Sequence, residues 1–387
     1  MKIAHLTTVD MSLRYLLLPQ LEAAREMGVS IGISAAGEFV SELEAKGISH
    51  IALASSTRGM NLLADVRAVG QLWRVLRRER PDILHTHNPK PGVYGRIVGR
   101  LAGVPIVVNT VHGLYATPES SFMKRVIVYT LEWVASRFSD AELIQSPEDF
   151  ELLWQRKIMP RSKLRLLGNG VDLERFRPNP ELRGQVRQEL GLDDGQIAVG
   201  LVARLVEEKG VPELIEAAER LDDRYVVLII GPKDHEKADA VSEELLAGAK
   251  ANGVRFLGMR RDVERIYQGL DIFVLPSHRE GFPRAAMEAA ASGLPVIATD
   301  IRGCRQVVDD GTNGILFPVR DVRALTGAIT QVGGDAVMRA AMSRASVNRA
   351  RALFDEREIV NRVMGTYAEV ATRKDLYPAL VERWGGG

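Results

Sequence analysis

Residues Ile272 to Ala291 read IFVLPSHREGFPRAAMEAAA, and the change of pattern inside this stretch decides the fold class. Ile272–Leu275 is a short apolar run of the kind that forms a buried strand, whereas Ala285–Ala291 repeats apolar residues at three and four, the mark of a helix. Pro283 is favoured in a helix's first turn, so the helix starts near it and the residues between form a loop at the strand's carboxyl end. The same succession recurs on both sides. Ile3–Leu6, Ile83–His85, Ile106–Val108, Leu143–Ile144, Val199–Ala203, Val226–Ile230, Val254–Leu257 and Val296–Ala298 are short apolar runs, and Leu17–Met27, Leu62–Arg78 and Pro212–Leu221 are amphipathic at helical spacing. Strand alternating with helix means parallel sheets, so the class is α/β.

A seam lies at Gly168-Asn169-Gly170-Val171-Asp172, where a strand-like run (Leu164–Leu167) meets a glycine-rich turn and then Arg177-Pro178-Asn179-Pro180. The pattern restarts with a fresh first strand at Ile197–Ala203. Two doubly wound domains in sequence are expected, over 1–168 and 169–367, with a tail of 368–387 packing back on the first. Such a pair has a cleft between the carboxyl ends of two sheets, where ligands of open α/β sheets bind.

The 387 residues hold 51 Lys+Arg against 50 Asp+Glu, a net charge of +1, with 46% hydrophobic residues. Collagen-like, disordered and disulfide-scaffold classes are excluded, and the balanced charge gives no global pull toward nucleic acid, so any anion site is local. A single cysteine, Cys304, supplies neither an internal disulfide nor a cysteine metal cluster, as expected in a reducing compartment. Met1–Thr7 enters a first strand too early for a signal sequence, and Leu101–Pro118, with Pro105, Asn109 and His112, makes a poor spanning helix. The expected location is the cytoplasm.

The chemistry concentrates in the second half. Arg204 and Lys209 fall on the loop after a buried strand, where a planar guanidinium fork and a compact ammonium can clamp a diphosphate. Local ion pairs to Glu207 and Glu208 are the plainer reading of the same loop. Glu280 lies on the loop after Ile272–Leu275 and Glu288 on the second turn of the following helix. Both carboxylates can accept from sugar hydroxyls, and the Gly281 and Phe282 N–H groups can face a phosphate oxygen. A capping acid plus a surface acid is the plainer alternative. In the first half His112 follows a strand-like run and precedes Gly113, which favours a contact in the expected cleft over a core role; His85 and His87 share a face of one strand by alternation, with filling the sheet as the alternative role for one or both. No histidine pair has the helical i, i+4 spacing of a zinc site, and no essential metal is expected.

Taken together, Arg204 with Lys209, Glu280-Gly281-Phe282-Pro283 with Glu288, Gly293-Leu294-Pro295-Val296-Ile297-Ala298-Thr299 and Asp310-Gly311-Thr312-Asn313-Gly314 resemble the retaining glycosyltransferases of family 4, of GT-B fold. Asp82-Ile83-Leu84-His85-Thr86-His87-Asn88-Pro89-Lys90, Thr110-Val111-His112-Gly113 and Asn169-Gly170-Val171-Asp172 are similar to its CapM-like branch, and the resemblance spans Met1 to Tyr367. It implies a metal-independent retaining hexosyltransferase that takes a sugar, an N-acetylhexosamine in many members, from a UDP-sugar to a polyprenyl-diphosphate-linked sugar in capsule, O-antigen or glycan synthesis. It also implies roles. Arg204 and Lys209 bind the donor diphosphate and stabilise its departure. Glu288 holds the ribose, Glu280 with Gly281, Phe282 and Pro283 orients the donor sugar, Met259 and Arg260 lie along the base, and His112 faces the transferred sugar. Front-face attack, with the departing diphosphate taking the acceptor proton, is the implied mechanism. Where many members carry a glycine-rich first loop, this chain has Thr8-Val9-Asp10-Met11-Ser12-Leu13-Arg14, read as an acceptor-side specialisation with Ser12, Arg14, His87 and Lys90 as acceptor-binding residues and surface salt bridging as the alternative.

Two basic amphipathic segments, 67–80 and 122–133, are either domain helices with a solvated face or membrane-surface helices, and a lipid-linked acceptor favours peripheral contact with anionic lipid at the inner face of the membrane. An epimerase or hydrolase of the same fold, and a non-catalytic nucleotide-sugar-binding protein, are the competing functions. The chain has no G-x-G-x-x-G after its first strand and no G-x-x-x-x-G-K-[ST] run, which removes dehydrogenase and P-loop readings.

Overall fold

The computed structural model describes residues 1–56, 62–87, 89–118, 120–234 and 239–385. They form two units: 1–168 together with the chain from Arg357 onward, and 169–356.

The first unit holds seven parallel strands: β1 (Lys2–Val9), β2 (Val29–Ala35), β3 (Ser49–Ala52), β4 (Ile83–His87), β5 (Ile106–Val111), β6 (Ala141–Ile144) and β7 (Leu164–Leu166), in the order β3-β2-β1-β4-β5-β6-β7. The second holds six: β8 (Ile197–Val202), β9 (Tyr225–Ile230), β10 (Arg255–Gly258), β11 (Ile272–Leu275), β12 (Val296–Thr299) and β13 (Gly314–Phe317), in the order β10-β9-β8-β11-β12-β13. Each sheet grows outward from its first strand on one side, then jumps back to grow on the other. Every apolar run named above falls on a strand, with Leu167, Ala203 and Val254 one residue outside. The additional strands β2, β3 and β13 are a serine- and glycine-interrupted run, VSIGISA, and two four-residue edges.

The helix Glu356–Arg373 carries the chain back into the first unit, where Val363, Met364, Tyr367, Ala368 and Ala371 join the core of Ile3, Ile83, Ile106 and Val108. This corrects the expected return at 368: one continuous apolar face commits the whole helix to the first unit, so the transfer falls at Arg357. Just before it, Gly170 passes so close to Glu356 that a Cβ would lie 2.6 Å from the Glu356 Cα.

Parallel strands covered on both faces bury near-continuous runs, and β4, β5 and β6 bury every residue. The polar exceptions are therefore networks. On one face Thr86 Oγ1 donates to Asn109 Oδ1 (2.8 Å) and Asn109 Nδ2 to Glu142 Oε2 (2.8 Å). Arg96, with no exposed surface, donates to Glu142 Oε1 (2.8 Å), Glu132 Oε2 (2.6 Å) and the Gly92 carbonyl (2.6 Å). Glu132 belongs to helix Phe122–Ala135, whose other buried residue is Ala135, and Arg96 to helix Pro89–Leu101, so the pair ties helix to helix while Arg96 also reaches Glu142 on β6.

Arg96→Leu strands two carboxylates in the interior and is expected to cost about 3–5 kcal/mol, read as a fall in the urea midpoint of unfolding, with Glu132→Gln costing less because Glu142 keeps its partner. Equal midpoints for wild type and Arg96→Leu would overturn this account.

Candidate functional site

In the second unit the strand order reverses between β8 and β11, and the loops leaving those two strands carry the candidate residues. Such a reversal is where open α/β sheets bind ligands. Gly210, at φ 70°, lies so tightly on the β11 loop that a Cβ would sit 2.1 Å from the Pro276 carbonyl oxygen, and the His278 N–H donates to the Glu208 carbonyl at 2.8 Å. This close approach joins residues 71 apart in sequence: Lys209 Nζ donates to Glu280 Oε1 at 2.6 Å, and Ser277 Oγ donates to the same oxygen at 2.8 Å. The Lys209 and Glu280 side chains are 20% and 11% exposed. A lysine ammonium has three donors, so one ion pair leaves others for a phosphate oxygen.

Arg204 reaches the loop after β9, where its Nη1 donates to Asp234 Oδ2 at 2.5 Å. The local pairs to Glu207 and Glu208 are not what Arg204 and Lys209 form; Glu208 instead meets Arg279 at 3.1 Å. The β11 loop is braced from behind: Thr299 Oγ1 donates to the Ser277 carbonyl at 2.6 Å, and Gly303 packs against the Glu280 backbone, where a Cβ would lie 2.6 Å from its oxygen. Cys304 beneath is fully buried, and burial pushes its thiol far above the ordinary range, which makes it a packing residue.

Pro283 caps helix Arg284–Ala291. Asn169 Nδ2 donates to the Phe282 carbonyl at 3.3 Å, and the Phe282 ring meets Phe354 edge-on. Glu288 sits one turn above Arg284 (3.8 Å) and accepts a long bond from Tyr267 OH (3.4 Å). Burial pushes its carboxyl up, with Arg284 and Arg175 pulling the other way. Beyond β10, Met259 is 54% exposed and Arg260 is tied to Asp262 at 2.7 and 2.8 Å.

In the first unit the reversal falls between β1 and β4. Ser12 and Arg14 lie on the short helix Asp10–Leu16 that leaves β1, and Arg14 Nε donates to Glu42 Oε1 at 2.5 Å. Lys90 Nζ lies 2.5 Å from Asp65 Oδ1. Both acceptor-side cations are thus engaged in salt bridges within the unit. Asn88 lies outside the described residues. His87 is a correction: it has no exposed surface and both ring nitrogens are occupied, Nε2 with His5 Nδ1 and Nδ1 with His112 Nε2, each at 3.1 Å, so it has nothing to offer an acceptor. His112 is half-buried, and burial pushes it down to about 4. Sequence reasoning missed Asp234, Ser277 and His5. The signal for Asp234 was its place after the apolar run Val226–Ile230, equivalent to that of Arg204 after β8.

Of the two basic segments, helix Leu62–Glu79 buries Leu72 and Leu76 and exposes Leu63, Val66 and Trp73. Helix Phe122–Ala135 exposes far more: Phe122, Met123, Val126, Ile127, Leu131, Trp133 and Val134. Arg137 stacks on Trp133 at 4.1 Å and Lys124 on Tyr115 at 4.5 Å, setting cations around that apolar face. Among the described residues no helix is long and apolar enough to cross a membrane.

Comparison with known proteins matches residues 22–175 to Glycosyltransferase Family 4 and residues 183–349 to Glycosyl transferases group 1. The chain is 29% identical over 323 residues to the UDP-Gal:alpha-D-GlcNAc-diphosphoundecaprenol alpha-1,3-galactosyltransferase of Escherichia coli, covering 82% of this chain and 83% of that one. It is 24% identical over 378 residues to the N,N'-diacetylbacillosaminyl-diphospho-undecaprenol alpha-1,3-N-acetylgalactosaminyltransferase of Campylobacter jejuni, covering 96% and 99%. Anabaena Alr3699/HepE, solved in complex with UDP, shares the fold with a TM-score of 0.80 at 22% identity, over 95% of this chain and 100% of that one.

The raised Glu288 carboxyl makes a stability prediction. Above its ordinary value of 4.5 the unfolded chain ionises at this position while the folded chain keeps the proton, so the stability of the protonated group is complete below 4.5 and lost as pH rises through the raised folded value. Glu288→Gln, which cannot ionise, should therefore melt at a higher temperature than wild type at neutral pH and at the same temperature below pH 4.5. A melting difference that does not change with pH would rule out the burial effect.

Proposed function

The chain belongs to the family 4 glycosyltransferases of GT-B fold, and on that footing we propose that it is a retaining hexosyltransferase acting on undecaprenyl-diphosphate-linked sugars in glycan biosynthesis. The observation that carries the reading is the Lys209–Glu280 pair beside Arg204 at the reversal of the second sheet. A UDP-sugar is the donor in this reading. Its diphosphate carries the charge that develops as the glycosidic bond breaks, and preorganised cations aimed at that charge stabilise the transition state more than the ground state. Lys209 does this with the donors its ion pair leaves free, and Glu280 keeps the ammonium from wandering. Arg204 must trade its Asp234 contact for phosphate oxygens.

Glu288 accepts from the ribose hydroxyls, the Gly281–Pro283 backbone and Glu280 orient the sugar, the backbone at Met259 and Arg260 lies along the base, and His112 meets a sugar hydroxyl. Ser12, Arg14 and Lys90 belong to the acceptor side, with the last two released from Glu42 and Asp65 when the acceptor's diphosphate arrives. Attack comes from the face that the leaving group occupies, and the departing phosphate oxygen takes the acceptor proton. The two cations supply the charge, so no metal is assigned to the donor and activity should persist in EDTA. The transferred sugar is read as an N-acetylhexosamine, in line with the Campylobacter jejuni relative; the Escherichia coli relative's name makes UDP-galactose the competing donor.

The acceptor's lipid carrier sets the place of work. We assign helix Phe122–Ala135 as the contact with anionic lipid at the cytoplasmic face, because its outer side is apolar and its rim cationic.

Two measurements test these readings. Purified enzyme with a panel of UDP-sugars should release UDP with one donor, and only when an undecaprenyl-diphosphate-linked sugar is present; Lys209→Ala should lower kcat by about 10²-fold or more with a smaller change in donor affinity. Release or epimerisation that ignores the acceptor would replace the transferase with a hydrolase or epimerase. In the second, wild type should co-sediment with phosphatidylglycerol vesicles in low salt, and Phe122→Ser/Ile127→Ser should lose that binding with UDP affinity intact. Unchanged sedimentation of the double variant would move the contact elsewhere.

A further inference from the structure

On the face of the first sheet opposite Thr86 lies a second polar network, built from imidazoles. His5 on β1 is the register partner of His85 on β4, His87 follows two residues on, and His112 comes directly after β5. One ring nitrogen from each of His5, His85 and His87 lies within 4.8 Å of the other two, close enough to hold a metal ion. The contacts already made argue against that use. His85 spends Nδ1 on Tyr367 OH (2.6 Å) and Nε2 on Thr110 Oγ1 (2.7 Å), and the His5 Nδ1 to His87 Nε2 contact is a hydrogen bond of 3.1 Å.

The remaining rings form a line: His5, His87, His112. Burial holds every ring below its ordinary range, His5 at about 3 and His112 at about 4, so each is neutral near pH 7. A neutral imidazole has one N–H and one lone pair. His87 therefore donates to one neighbour and accepts from the other, and both bonds must point the same way along the line. His5 Nε2 at the inner end is buried without a partner. Buried N–H donors are left without acceptors more rarely than acceptors are left without donors, so that end carries the lone pair. The direction follows: His5 Nδ1–H donates to His87 Nε2, and His87 Nδ1–H donates to His112 Nε2. On His112 the proton is then on Nδ1, since Nε2 faces His87. A line with a blind inner end cannot pass a proton through; it can only fix an orientation.

We propose that His87, backed by His5 and plated by His85 (ring centroids 4.1 Å apart), is a positioning residue that holds His112 in the single tautomer with Nδ1 protonated and Nε2 accepting. His112 is then a hydrogen-bond donor of fixed direction, to Gln145 or to a ligand that takes its place, and never a base. The consequence for turnover rests on the transferase reading; the tautomer does not.

Two-bond ¹H–¹⁵N correlation spectra of the ¹⁵N-histidine-labelled full chain read the tautomer directly, without substrate. Wild-type His112 should show a protonated Nδ1 and an unprotonated, hydrogen-bonded Nε2. In His87→Leu it should relax to a mixture of tautomers, with His87→Gln restoring a single form. With the UDP-sugar and undecaprenyl-diphosphate-linked acceptor that the UDP-release assay selects, His87→Leu should lose about tenfold in kcat, the size of one hydrogen bond, while UDP affinity stays at wild type. A wild-type His112 protonated on Nε2 overturns the proposal even if no variant folds, and so does a His112 spectrum that ignores His87→Leu. Cobalt(II) giving tetrahedral absorption bands that vanish in His5→Phe would replace the line with a metal site. Failure of the transferase assay with the expected tautomer present would count against the function alone.

Discussion

Everything of chemical interest in this chain depends on one geometric constraint. A parallel sheet puts the carboxyl ends of all its strands on one edge, and a sheet that grows first one way and then the other leaves diverging loops at the reversal. Here this happens twice, beside β1 and beside β8. At the second reversal the loops are forced together by backbone contacts only glycine allows: Gly210 on Pro276, and Gly231, where a Cβ would lie 1.8 Å from the Ala203 carbonyl oxygen. The first approach brings Lys209 and Glu280 from different loops to within 2.6 Å, and the second lies beside the Arg204 contact with Asp234.

The two halves use polar groups in opposite ways. Around β8 and β11 the groups are charged and part-exposed, and a paired ammonium can still be shared with an anion. In the first unit they are buried, and two solutions coexist on opposite faces of the same strands. One is fully ionic, Arg96 between Glu132 and Glu142; the other is neutral, a line of imidazoles stripped of charge by burial. The ionic face tolerates burial because every charge has a partner within 2.8 Å. The neutral face tolerates it by having no charge to solvate, and it gains a direction in return.

The ionic network has a second effect. Helix Phe122–Ala135 turns most of its apolar residues outward, an arrangement that hydrophobic burial alone would not select. Glu132, reaching inward to Arg96 on helix Pro89–Leu101, ties the two helices together in that orientation.

The sequence by itself was enough for the α/β class, most of the strands, the loops at strand ends and the residue types gathered there, because period, turn residues and apolar runs are local properties of the chain. It led equally to Arg204, Lys209, Glu280 and Glu288 as the residues worth naming. It could not say what each would touch. Lys209 meets Glu280 rather than its neighbours, Arg204 meets Asp234, Glu132 turns in to Arg96, and His87 is enclosed by His5, His85 and His112 rather than open to a ligand. The short strands β2, β3 and β13 and the return of the chain at Arg357 were likewise hidden. Each of these depends on the register between strands far apart in the chain, His5 and His87 being 82 residues apart, and register is settled by how whole faces pack, which only the tertiary structure decides.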